Sequence, residues 1–140
     1  MSDAVVTTFD LVLQGLKLAW ESTPACLGLI HANGTSMPRA GSKRFSFFAS
    51  GAPPLASGWL VLGQTSQTPV QLGLVTLGVQ PATRIPVASD HQGWVETPYS
   101  LEAYAPGDTF SAQYLFCNPA SCLGPQPWST SNAVEVTVQQ

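Results

Sequence analysis

Residues 109–139, TFSAQYLFCNPASCLGPQPWSTSNAVEVTVQ, hold two alternating runs joined by a loop. In the first, Phe110, Ala112, Tyr114 and Phe116 occupy every second position. In the second, Val134, Val136 and Val138 alternate with Glu135 and Thr137. A period of two puts each set on one face of an extended chain, so each run reads as a strand with one buried face. The loop between them carries Cys117 and Cys122 around Pro119, then Trp128 within GPQPWSTS. A structural zinc site needs four ligands and would have to recruit Cys26 and a histidine. A redox pair is ordinarily C-x-x-C at a helix start, whereas these cysteines are more widely spaced and flanked by strands. A disulfide fits best, because Asn118-Pro119 favours a turn that brings the two Cα atoms within ~6 Å. Closing so short a loop contributes about 2 kcal/mol in the chain-entropy model, so its expected role is to fix the loop's shape. Cys26 is then left over, as a small buried apolar residue or an intermolecular partner.

The same pattern extends upstream. Runs rich in β-branched and aromatic residues fall at 25–31, 44–49, 58–64, 70–75, 83–88 and 93–99. ASGAPPLASG, SQTPV, VQPAT and APGD separate strands, with Pro fixing φ and Gly permitting positive φ. Asn33-Gly34, just after His31, reads as a hairpin turn. Strands at this spacing without intervening helices predict an all-β fold. The expected form is an antiparallel β-sandwich, immunoglobulin-like or jelly-roll-like, of about eight to nine short strands.

The N-terminal segment reads two ways. Phe9, Leu11 and Leu13 alternate, Gly15 shifts the phase, and Leu16, Leu18 and Trp20 alternate again, which suggests a strand with a bulge at Gly15. Val6, Phe9, Leu13, Leu16 and Trp20 also fit helical spacing, although Gly15 and the Val-Val-Thr-Thr run disfavour a helix. Residues 1–22 are therefore an expected strand or arm, and 23–140 the sandwich, in one domain overall. An arm built on Phe9, Leu11 and Leu13 would add to a neighbouring subunit's sheet edge.

Charge narrows the partners. Only 9% of the 140 residues are charged, against roughly 25% in ordinary soluble domains. Ser, Thr, Gln, Asn and backbone must then cover the surface, or neighbouring subunits must, which suits extracellular or assembled proteins. The net charge is −3 with five basic residues, three of them (Arg39, Lys43, Arg44) in one short segment. Five cations neutralise few phosphates, so nucleic acid is not an expected partner. No apolar run is long enough to predict a membrane-spanning helix. MSDAVVTTFDLVLQGL lacks a basic leader and apolar h-region, so the expectation is a mature or excised chain, or one assembled inside a cell as a viral protein would be.

Catalytic and metal chemistry find little support. Asp90-His91 lies in ASDHQGW, a polar turn, and no G-x-S-x-G accompanies it. Asp90, Glu96 and Asp108 form no D-x-[DN]-x-[DN]-G calcium pattern. Asn33-Gly34-Thr35 matches a glycosylation acceptor, but a plain Asn-Gly turn is the favoured reading. No enzyme activity and no cofactor are expected. Trp94 and Trp128, with Tyr99 and Tyr104, could stack on sugars or contact a partner, although large aromatics in a small sandwich more often fill its core.

FASGAPPLASGWLVLGQTS, PVASDHQGWVETPYSL, FSAQYLFCNPASC and WSTSNAVEVTV, in that order, resemble a domain recurring in large secreted and surface proteins of planctomycete- and myxobacterium-type bacteria. The resemblance covers roughly residues 24 to 138 and implies an extracellular β-sandwich, often at the C-terminal end of longer chains, with no catalytic residues to carry over. The leading expectation is a non-catalytic module at the cell surface or outside the cell, acting in adhesion or as a structural subunit through protein partners or self-assembly. The alternatives are a carbohydrate-binding module and a viral capsid, decoration or filament subunit with an N-terminal arm.

Overall fold

Alternation in sequence becomes layering in space. The computed structural model describes residues 14–19, 28–72, 75–119 and 127–140, with backbone alone at 67–69, 71–72 and 75–76. The described residues form nine strands and no helix: β1 (Leu16–Ala19), β2 (His31–Gly34), β3 (Ser46–Ser50), β4 (Ser57–Leu72), β5 (Val75–Ala88), β6 (Val95–Pro98), β7 (Thr109–Cys117), β8 (Trp128–Thr130) and β9 (Ala133–Thr137). All ladders between them are antiparallel. The larger sheet runs β1-β9-β7-β4-β5, with β8 also on β7, and the smaller runs β2-β3-β6. With β2-β3-β6 facing β9-β7-β4, the order is that of an immunoglobulin-type Greek key, with β1 and β5 added at the edges.

The inward faces are the alternating sets that the sequence exposes. Phe110, Ala112, Tyr114 and Phe116 join Leu60, Leu62, Val134 and Val136 from the larger sheet, against Ile30, Ala32, Phe47, Ala49 and Val95 from the smaller. Hydroxyls of Thr97 and Tyr114 meet at 2.8 Å between the sheets, so the buried Tyr114 oxygen has its partner. β8 and β9 form one strand interrupted at Ser131-Asn132. There Asn132 leaves the ladder, accepts from the Ala32 N–H at 2.8 Å and donates to the Ala32 carbonyl at 3.0 Å. That side chain fastens one sheet to the other. The sequence assigned WSTS to a loop, whereas Trp128–Thr130 pair with β7.

Two sequence expectations change. Asn33-Gly34 is not a hairpin turn: Asn33 pairs with Phe48 and Gly34 with Phe47 in a continuing ladder. Glycine is required there by packing, since a Cβ would lie 2.8 Å from Leu16 and 2.9 Å from Phe45. The runs 58–64, 70–75 and 83–88, with SQTPV and VQPAT between them, are one long hairpin of β4 and β5. Its ladder slips between Leu62 and Gly63, where Gly63 faces Pro81, and again between Thr65 and Val70. A Cβ on Gly63 would collide with the Gln80 carbonyl, so the bulge requires glycine.

Beyond that bulge the hairpin folds back over the outer face of the larger sheet. Val79 packs with Val61 and Ala133 although β5 and β9 are not neighbours in the sheet. Gln113, fully buried on that outer face, accepts from the Gly78 N–H at 2.8 Å and donates to the Ser131 carbonyl at 2.6 Å. The centre of the larger sheet's outer face, around Val61, Gln113 and Ala133, is thus covered.

At the N-terminus, β1 pairs with β9 of its own chain, Leu16 opposite Val136. Gly15, at φ +89°, immediately precedes it, and the strand expected before Gly15 lies outside the described residues. Phe9, Leu11 and Leu13 lie outside the described residues.

Candidate recognition surface

Strand direction brings the start of β2, the end of β3, the end of β5, the start of β6 and the end of β7 to one end of the sandwich. Two loops there, 51–56 and 89–94, are laced together by main-chain bonds. The Ala52 N–H donates to the Gly93 carbonyl at 3.1 Å, Leu55 to Asp90 at 3.0 Å, and Ser89 to Ala56 at 2.9 Å. The buried Ser89 hydroxyl donates to the Pro53 carbonyl at 2.5 Å and accepts from the Ala56 N–H at 2.9 Å. Asp90 closes its own turn: its carboxylate accepts from the N–H of Gln92 at 2.8 Å and of Trp94 at 2.9 Å. Those bonds, from Trp94 first and Gln92 second, hold its carboxyl below the ordinary value of 3.8. The polar turn read at Asp90-His91 is therefore a rigid support, and the residue it positions is Trp94.

Trp94 stacks on Phe48, ring centroids 5.0 Å apart and planes inclined by 16°. Both project from the outer face of the smaller sheet, since Phe47 and Val95 beside them point into the core. Trp94 remains 41% exposed, Leu55 is 75% exposed and Leu29, just before β2, 49%. Leu55 also adopts φ +53°, a left-handed conformation that a leucine rarely takes.

The four aromatics singled out in the sequence do not converge. Tyr99 and Tyr104 lie beyond the far end of β6, pack against Phe110, and share a hydroxyl–hydroxyl bond at 2.6 Å. Burial first, then the Tyr104 hydroxyl, raises the Tyr99 pKa well above its ordinary value, as burial does for Tyr114. Trp128, half-buried, pairs with Cys117 at the edge of the larger sheet, so it belongs to the other side of the sandwich from Trp94. Trp59 has its ring covered by the Arg84 guanidinium, 4.3 Å from the centroid. Phe48 and Leu55 escaped the sequence reading. Phe48 sits in the apolar run SFFA, which gives no sign of which ring faces out, and no sequence signal marks a leucine with positive φ.

Cys117 is exposed and forms no disulfide among the described residues, while Cys122 and Cys26, its two possible partners, lie outside them. Among the described residues no group of three His, Cys, Asp or Glu side chains is placed to hold a metal, and no helix is long and apolar enough to cross a membrane. The fold and this surface define a class: a Greek-key β-sandwich with one end built of laced loops that present apolar side chains to solvent. Comparison with protein-family profiles, with curated proteins and with solved structures gave no match.

Proposed function

We propose that the chain is a non-catalytic β-sandwich module of an extracellular or cell-surface assembly, working by surface contact in adhesion or as a structural subunit. The observation that carries the reading is the gathering of Leu29, Leu55 and Trp94 at one end. They are three of the four large hydrophobic residues exposed among the described ones; the fourth, Leu18, is on β1. Scattered exposed apolar residues mean little, but a group held on rigid loops marks a contact surface. The strained Leu55 adds weight, because a left-handed leucine costs stability that an interior contact does not return. A photo-reactive side chain in place of Leu55 tests it: one discrete adduct, with a partner or with a second copy, is expected on cells that make the protein. Absence of any discrete adduct would sink the reading.

The loop before Trp128 is further proposed to be shaped by a Cys117–Cys122 disulfide. Reduction should then raise the intact mass by two hydrogens, and an unchanged mass excludes the bridge.

A further inference from the structure

We infer that the outer face of the smaller sheet is a saccharide-binding platform centred on Trp94 and Phe48. The inference rests on the surface-contact reading and names its ligand. Register sets the layout. Asn33, Phe48 and Glu96 form one row across the three strands, and His31 and Ser50 begin the next, with Trp94 as the following outward position on the third strand. Stacking sets Phe48 against one face of Trp94, so the tryptophan, 41% exposed, offers its other face and its edge as the apolar contact.

Around the rings stand an amide, a carboxylate, an imidazole and a hydroxyl, on strands that span ~10 Å from β2 to β6. Asn33 Oδ1 accepts from the Gly34 N–H at 2.8 Å, which leaves the amide nitrogen as the group's donor. A sugar ring has the matching form: a C–H face for the indole and an equatorial rim of hydroxyls for the surrounding polar groups. Asp90 holds the Trp94 backbone through its carboxylate, so little ordering is required on binding.

The alternatives fit less well. β2, β3, β6 and residues 89–94 contain no Lys or Arg, so phosphate-bearing ligands find no counter-charge there. The centre of the other outer face is covered by the protein's own hairpin, and the Trp59 ring carries the Arg84 guanidinium. The smaller sheet's outer face keeps Trp94 41% exposed beside Phe48. A peptide held by hydrophobic contact would draw on Leu29 and Leu55 at the end of the sandwich, whereas the row of Asn33, Phe48 and Glu96 and the His31–Ser50 pair surround the rings with polar groups.

A glycan array probed with the full chain is the test. Binding to at least one neutral oligosaccharide is expected, falling about tenfold or more in Trp94→Ala, the scale of one lost aromatic stack. Glu96→Gln, at an exposed position, should weaken the signal without touching the fold, and Trp59→Phe should leave it unchanged. A flat array with a chain folded by near-ultraviolet circular dichroism overturns the inference, as does binding that survives both Trp94→Ala and Glu96→Gln. If the array is flat while the Leu55 adduct still forms, the saccharide alone is wrong; if both fail, so does the surface-contact reading.

Discussion

Leu55 holds a left-handed backbone, φ +53°, with three-quarters of its surface in water. Neither packing nor local hydrogen bonding explains a leucine there. Leu55→Gly should therefore raise stability by up to about 1 kcal/mol, since relief of left-handed strain outweighs the entropy glycine adds to the unfolded chain. Denaturant titration reads the gain, and a loss of stability would show that Leu55 does pack. Asp90 makes an opposite kind of case. Its carboxyl is held below 3.8, so the folded form favours the charged group. That contribution is whole above about pH 4 and is lost as pH falls through the lowered value. Trp94 emission should change below pH 4 in the native chain and not in Asp90→Asn; a transition near neutrality would contradict the assignment. Tyr99 and Tyr114 run the other way. Their raised values favour the neutral phenol, so the stability they add is present below pH 10 and lost above it. Ultraviolet titration should find both ionising late. The Asp90 turn was legible in the sequence because Asp-x-x-Gly is turn chemistry; the conformation of Leu55 was not, because it is imposed by the loop facing it.

At the scale of elements, legibility followed periodicity. β7 falls at Thr109–Cys117, as its alternation predicts, and β9 within one or two residues of its run. The β4–β5 hairpin was hidden because Pro69 and Pro81 read as turn residues. Both are tolerated at register slips, and Pro81 is also on an edge strand, where a missing donor costs no ladder bond. Covering the larger sheet's outer face depends on Gln113, whose alternating polar position suggested a wet face. Gln113→Ala would strand the Gly78 N–H and the Ser131 carbonyl, costing about 2–4 kcal/mol and exposing the Gly78 amide to hydrogen exchange. Unchanged protection of Gly78 would mean that the hairpin is held by other contacts.

For the whole molecule, the sandwich could be read from sequence, whereas the asymmetry of its two outer faces could not. Burial of Phe116 and Tyr114 between the sheets accounts for cohesion; Phe116→Ala should cost about 3–5 kcal/mol and reach every part of the fold in one cooperative transition. The asymmetry comes from long-range folding of one hairpin, which no local pattern announces. It leaves the larger sheet's outer face covered at its centre and the smaller sheet's outer face without such a cover, with Trp94, Leu55 and Leu29 at the end where the laced loops meet. The surface-contact account therefore depends on where the chain is shielded when it is in place. Hydroxyl-radical footprinting of the protein held on the cells that make it, against the free chain, measures that directly. Protection concentrated at Leu29, Leu55 and Trp94 is the expected result; unchanged reactivity there, or protection confined to Leu18 and the β1 edge, would contradict the account.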